Sequence, residues 1–263
     1  MLCSLVVPVY SQLATVLRLC KSLILNPQEK LKEVLLIDDC SPDFILSEVV
    51  GKPFQVTRNE TNKGFIATEN IGAKLVSPES ELLAFFNSDL EVYPQWLDPA
   101  VKIFEDNPKV GVVGIKLCFP PGDTIQHAGC GFDALRGPYH QYLGWKANDP
   151  RPSKIREVSW VTGAALITRK DVFQQIGGFD ENYGLGYFDD VDYCLSVKKL
   201  GYQIWYCGEA SAIHSVGVSM GGAAKTPERQ KLAEQNFRRN SARFHAKWDA
   251  EIVPDTSAVW VNY

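Results

Sequence analysis

The chain has 263 residues, 45% of them hydrophobic and 22% charged, with a formal net charge of −4. This is the composition of an ordered globular protein with a substantial core, and its acidic balance argues against a duplex-binding surface, so no nucleic-acid partner is expected. The apolar runs fall far short of the ~20 residues that span a bilayer. The opening Met1-Leu2-Cys3-Ser4-Leu5-Val6-Val7-Pro8 has no basic segment and meets a proline too soon for a signal peptide, so a cytoplasmic location is expected. The seven cysteines, Cys3, Cys20, Cys40, Cys118, Cys130, Cys194 and Cys207, include no CxxC pair. They read as reduced core thiols, with a zinc site as the alternative.

Residues 4–10 read as a strand, and residues 13–25 have helical spacing, with Leu13, Val16, Leu17, Cys20 and Ile24 on one face. A strand over 34–37 ends in the turn formers Asp38-Asp39-Cys40-Ser41-Pro42-Asp43, which open a short helix. A strand over 54–57, a helix over 65–76 and a strand over 82–86 follow, then a helix with Pro94 near its first turn running to Asp106, and a strand over 110–117. Residues 119–157 are rich in Gly, Pro and aromatics and show no period, which marks a functional loop region or one whose elements local pattern does not reveal. Beyond it, the pattern predicts a strand over 160–168, a helix over 170–176, a turn at Gly177-Gly178-Phe179-Asp180 and a helix from the acidic run at Asp189 to Leu200, capped by Gly201. Closing strands over 203–206 and 211–214 and a basic helix over 226–247 complete the chain. Alternation of this kind predicts an α/β fold with a mostly parallel central sheet flanked by helices.

Three acidic clusters each follow a strand or open a helix: Asp38 and Asp39, Asp89, and Asp189, Asp190 and Asp192. In a doubly wound sheet the first two lie at the same edge, where ligands bind. Asp39 could accept from a nucleobase N–H or a ribose hydroxyl, Asp89 could hold a metal-bridged diphosphate, and Asp190 could deprotonate an acceptor hydroxyl. Helix capping is the competing reading for Asp38 and Asp39, and compensation of the helix dipole for the last cluster. His214 would complete a partial metal set with Asp89 if the fold joins them. There is no GxGxxG and no GxxxxGK[ST], so Rossmann hydride transfer and P-loop ATPase chemistry have no support.

The ordered set Val6-Val7-Pro8-Val9-Tyr10, Asp38 to Asp43, Asn62-Lys63-Gly64-Phe65 with Asn70 and Gly72, and Asn87-Ser88-Asp89 resembles glycosyltransferase family 2. The later pieces Val161-Thr162-Gly163-Ala164-Ala165, Gly177-Gly178-Phe179-Asp180, Gly186-Tyr187-Phe188-Asp189-Asp190-Val191-Asp192 and Ile213-His214 fall in the same family order, closest to the bacterial rhamnosyltransferase-like subgroup that builds surface polysaccharides. The resemblance implies a GT-A fold over residues 1–225, with a nucleotide-binding half to 118 and a smaller acceptor-side half to 225, followed by a helical extension over 226–263. It also implies a nucleoside-diphosphate sugar donor linked to UDP or dTDP, a divalent cation, Mn2+ or Mg2+, and inversion at the anomeric carbon.

By motif position, Pro8, Tyr10, Asp39, Asn62, Gly64, Asn70, Asn87, Ser88 and Asp89 would line the donor nucleotide. Asp89 and His214 would hold the metal, and Asp190 would be the base. Asp189 stands where the family usually has Glu, which leaves the choice of base between the two open. Asn87 replaces the first Asp of the DxD motif, removing one negative charge from the expected metal site. Trp160 and Gly163 would face the acceptor, a saccharide or lipid-linked glycan. The C-terminal helix carries Lys225, Arg229, Lys231, Arg238, Arg239, Arg243 and Lys247 among Leu232, Phe237 and Phe244, and reads as a helix packed on the core or as a peripheral docking surface for anionic lipid. Two other functions compete: a sugar-phosphate nucleotidyltransferase, which would need a basic Gly-rich loop after the first strand, and a non-catalytic nucleotide- or glycan-binding module.

Overall fold

The structure, a computed structural model, describes residues 1–42, 49, 51, 53–134, 137–184, 186–215 and 227–255. The short helix expected after Asp38, together with Asp43, Lys225, the expected boundary at 225/226 and the side chain of Arg229, lies outside the described residues. The elements are β1 (Cys3–Val9), α1 (Leu13–Leu25), β2 (Leu31–Asp38), β3 (Phe54–Arg58), α2 (Phe65–Leu75), β4 (Leu82–Phe86), β5 (Leu90–Val92), α3 (Asp98–Asp106) and β6 (Val110–Phe119). Then come β7 (Thr124–His127), β8 (Cys130–Asp133), β9 (Gly137–His140), β10 (Arg156–Glu157), β11 (Ala165–Arg169), α4 (Lys170–Ile176), α5 (Asp189–Lys199), β12 (Gln203–His214) and α6 (Pro227–Trp248).

The main sheet runs β10-β12-β6-β11-β4-β1-β2-β3, with β5 added to β12 and β7 to β6. Pairs β1–β2, β2–β3, β1–β4 and β6–β12 are parallel, while β11 lies antiparallel between β4 and β6. Residues alternate across the strands, as a sheet covered on both faces requires. Leu5, Val7, Val9, Ala84 and Phe86 pack with Val16, Leu19 and Leu23 of α1 and Val101 and Phe104 of α3. On the other face, Val6, Phe85 and Val112 pack with Ile66 of α2, Phe173 of α4, Val191 of α5 and Phe244 of α6. The chain order reverses beside β1, whose neighbours are β2 on one side and β4 on the other, so the crevice at their carboxyl ends is the topological switch point.

Local pattern misplaces four features. The buried stripe of α1 is Thr15, Val16, Leu19, Cys20 and Leu23, whereas Leu17 and Ile24 are exposed, because the helix carries apolar residues on both sides and the sheet selects one. Residues 90–92 form β5 and the next helix starts at Asp98, with Pro99 in its first turn, since the strand's partner lies more than a hundred residues onward. The two closing strands are one, β12, broken by a bulge between Cys207 and Ser211. Residues 160–164 precede β11, and the irregular stretch contains β7, the β8–β9 hairpin and β10.

Gly72 sits where α2 crosses the sheet. A Cβ there would lie 3.2 Å from Ile37 Cγ1 and closer still to Val6 Cγ1. Gly→Ala in an exposed helix gains about 1 kcal/mol, but overpacking costs ~1–3 kcal/mol. Gly72→Ala is therefore expected to lower stability in a urea melt; a stabilised variant would contradict the close α2–β1 packing.

Candidate active site

The switch point collects the residues at the ends of β1, β2 and β4. Tyr10 is 49% exposed at the end of β1, just beyond the buried Pro8. At the end of β2, Asp38 is fully buried, accepts from Ser41 N–H and pairs with Arg58. Asp39 is a buried clamp: Oδ1 accepts from Asn59 Nδ2 at 2.9 Å and Lys63 N–H at 2.7 Å, and Oδ2 from Gly64 N–H at 2.9 Å. Asn62 adds a 3.2 Å bond to the Asp39 carbonyl. These bonds fasten the loop into α2, and Gly64, at φ +85°, supplies its left-handed turn. A groove of about 420 Å³ opens beside this loop between Asn62, Gly64, Gly184, Asn236 and Arg239. Asn70 is committed elsewhere, its amide bonded to both the N–H and C=O of Phe179 and to Glu181.

Past β4 lie Asn87, the buried Ser88 and Asp89. Register brings His214 here: it faces Leu90 across the β5–β12 pair, and Ser215 N–H donates to the Asp89 carbonyl at 3.1 Å. His214 Nδ1 lies 2.6 Å from Gln126 Oε1. In the neutral ring that bond holds the proton on Nδ1 and leaves the Nε2 lone pair pointing at Asp89 Oδ1, 3.2 Å away, and at Asn87 Nδ2, also 3.2 Å away. Both carboxylate oxygens of Asp89 and Oδ1 of Asn87 are buried and accept no hydrogen bond among the described residues. Buried acceptors without donors are costly, and a lone-pair nitrogen beside an unpaired carboxylate adds to the deficit of positive charge. A divalent cation supplies what these atoms lack, so the donor set fits one.

The acidic run opening α5 is tied to the same crevice. Asn87 N–H donates to Ala164 C=O, and the neighbouring Gly163 N–H donates to Asp190 Oδ2 at 2.9 Å. A Cβ on Gly163 would lie 3.3 Å from Asp190 Cβ, so glycine permits this close approach. Asp190 Oδ1 accepts from Val191 N–H at 2.9 Å. Burial raises the Asp190 pKa, opposed by the N–H groups of Gly163 and Val191 and by Thr162. Asp189 is buried with fewer donors, and burial together with the Asp190 charge pushes its pKa up to about 8. Asp192, the third acid, is structural: it accepts from Tyr183 OH, Lys247 Nζ and Trp248 Nε1. Trp160 is 5% exposed, its Nε1–H bonded to Gly131 C=O and its ring packed edge-on with His140.

The sequence profile described as Glycosyl transferase family 2 matches residues 4–176, more than half of the chain. The chain belongs to this family. Its curated relatives include an O-antigen biosynthesis protein, RfbC, of Myxococcus xanthus, 36% identical over 58% of this chain and 12% of that protein. Another is the N-acetylglucosaminyl-diphospho-decaprenol L-rhamnosyltransferase of Mycobacterium tuberculosis, 30% identical over 51% of this chain and 47% of that protein. The chain spans less than half the length of each of these two relatives. Similar solved structures include GalNAc-T7 with UDP, GalNAc and Mn2+ (TM-score 0.66, 17% identity, 82% of this chain and 44% of that one). The mannosyltransferase PcManGT of Pyrobaculum calidifontis with GDP-Man and Mn2+ is also similar (TM-score 0.61, 16% identity, 97% of this chain and 65% of that one). At these identities the likeness establishes the fold, which is GT-A.

Three residues of this family 2 chain escape sequence reading. Gln126 orients His214 from an apparently irregular stretch. Glu69 of α2 is buried, its Oε1 accepts no hydrogen bond, and burial with the Asp189 and Asp190 charges raises its pKa well above the usual range. Asn240 of α6 donates to the carbonyls of Tyr183, Gly186 and Tyr187, holding the loop that delivers Asp189. Arg239, Arg243 and Lys247 of the same helix bond to Tyr183, Asp180 and Asp192, so much of the helix's charge secures packing. Leu232 and Phe237 remain exposed at 53% and 47%.

The Asp189 shift has a consequence for stability. Its folded pKa of about 8 exceeds an unfolded value near 4, so the unfolded chain gives up the proton first. The resulting penalty is absent in acid and grows between these two values, by up to ~1.4 kcal/mol per pH unit. Asp189→Asn should therefore gain stability relative to wild type progressively from pH 4 to pH 8 in denaturant melts; a difference independent of pH would contradict the buried, protonated Asp189.

Proposed function

We propose that the chain transfers a sugar from a nucleoside-diphosphate donor, linked to UDP or dTDP, to a hydroxyl of a saccharide or lipid-linked glycan during surface polysaccharide synthesis, with inversion. The observation that carries this reading is the convergence, at the switch point, of the unpartnered Asp89 carboxylate, Asn87 Oδ1 and the His214 Nε2 lone pair, one backbone step from Asp190. The names of the Myxococcus and Mycobacterium relatives support the substrate class.

Asp89 and His214, with Asn87 contributing a neutral oxygen, would hold Mn2+ or Mg2+. When bound, that cation neutralises the charge that develops on the leaving diphosphate. Tyr10 offers a ring face at the rim for the base, and the loop fastened by Asp39 offers the polar edge of Asn62 to the nucleoside. Asp190 is the base: it is half-buried and its oxygens accept N–H bonds that favour the anion, whereas Asp189 is more deeply buried and keeps its proton at neutral pH. The acceptor hydroxyl gives its proton to an Asp190 carboxylate oxygen as its own oxygen attacks the anomeric carbon from the face opposite the diphosphate. Attack and departure in a single displacement produce inversion. Gly163 positions Asp190, and Gln126 positions His214.

Transfer or donor hydrolysis by the purified chain tests the reading. Asp190→Asn is expected to lower kcat by about 10²–10⁴-fold, the usual contribution of a positioned base, with donor binding retained, while Asp189→Asn keeps most of kcat. Turnover by Asp190→Asn within a few-fold of wild type would overturn the assignment. Because the Asp190 pKa is raised by burial, the acidic limb of kcat is expected above the ordinary carboxylate range.

A further inference from the structure

Outside this crevice, the acceptor half holds a second set of ligand-type atoms. His127 ends β7, Cys130 begins β8 and His140 ends β9, directly opposite Cys130 in the hairpin register. His127 Nδ1 lies 3.3 Å from His140 Nδ1 and 3.4 Å from Cys130 Sγ, and all three ligand atoms fall within 4.8 Å of one another. A tetrahedral zinc site, with Zn–N and Zn–S bonds of about 2.05 and 2.3 Å, has ligand edges of about 3.4 Å between nitrogens and about 3.6 Å from nitrogen to sulfur. The two separations from His127 match those edges, and the Cys130–His140 edge lies within 4.8 Å.

From this geometry we propose that His127, Cys130 and His140 form a binding site for a borderline-soft divalent cation, zinc foremost, distinct from the Asp89 and His214 set. Two imidazoles and a thiolate are zinc ligands, whereas a site for Mg2+ would be built of oxygens. Binding converts the Cys130 thiol to a thiolate and releases one proton per cation. Ligation through Nδ1 leaves the His127 proton on Nε2, so the long 3.4 Å contact from Gly129 N–H is given up. His140 is not fully buried, which leaves the fourth position to solvent. Because Gln126 precedes His127 and holds His214, and the His140 ring packs on Trp160, the ion would brace β7 and the β8–β9 hairpin behind both.

The test is a cobalt(II) titration of the chelator-treated full chain, read by the thiolate-to-cobalt charge-transfer band and the visible bands of tetrahedral cobalt, followed by displacement with zinc. Saturation at about one equivalent is expected, with the same spectrum in Asp89→Ala. Cys130→Ala, which leaves no buried polar group behind, should lose the charge-transfer band. His140→Gln should weaken binding by more than the roughly 100-fold that losing an outer-shell partner costs. Absence of a charge-transfer band in wild type at saturating cobalt, or a band unchanged in Cys130→Ala, would show a hydrogen-bonded core cluster only and overturn the proposal. Should Cys130→Ala not fold, the wild-type spectrum and His140→Gln decide. The readout needs no donor or acceptor, so it stands apart from glycosyl transfer.

Discussion

The antiparallel pairing of β5 with the end of β12 sets Leu90 against His214, and the geometry of the crevice follows from it. This short ladder brings a histidine from the acceptor half to a carboxylate at the carboxyl end of β4. In the neutral ring the Nδ1 proton is directed at Gln126 and Nε2 accepts from Asn87 Nδ2, so both Asp89 oxygens go without a hydrogen bond among the described residues. A fold that buries such atoms leaves a local deficit of positive charge, and removing it by hydrogen bonds would require donors that the surrounding β4, β5 and β12 backbones have already committed to the sheet. The fit of this donor set to a cation thus depends on the sheet register as much as on the residues.

The second electrostatic feature is the separation of three acids into different roles by their surroundings. Asp190 is surrounded by N–H groups, Asp189 by burial and a neighbouring charge, and Asp192 by the Tyr183, Lys247 and Trp248 donors. Glu69 approaches the first two from α2, and burial together with their charges raises its own pKa. Three carboxyl groups of the same type, within four positions of one helix, therefore meet three different electrostatic environments. Helix α6 maintains this arrangement by gripping the loop before Asp189 through Asn240 and by binding Asp192 directly.

Much of the nucleotide-side half is legible in the sequence because its signals are local. Helix α1 and strand β4 have the bounds that their periodicity predicts, and the polar run after Phe86 marks the crevice. What escapes is non-local. Strand β5 is three residues long and exists by pairing with β12; the β8–β9 hairpin lies in a stretch without period; Gln126 and Glu69 acquire meaning only from neighbours more than eighty residues away. Asp39, read as a contact to a base, has its carboxylate bonded to Asn59, Lys63 and Gly64, a clamp that no sequence spacing announces. The acidic run at Asp189 is visible as chemistry, but the burial and N–H groups that distinguish its three acids are not displayed by the sequence.

The central claim, that Asp89, Asn87 and His214 hold a cation jointly with a nucleoside diphosphate, is tested most directly by following free Mn2+ with electron paramagnetic resonance as it is titrated into the chain with and without UDP or dTDP. The account predicts that one of these nucleotides tightens Mn2+ binding in wild type and that Asp89→Ala abolishes the tightening. Mn2+ binding that neither nucleotide alters, or that Asp89→Ala leaves unchanged, would contradict it.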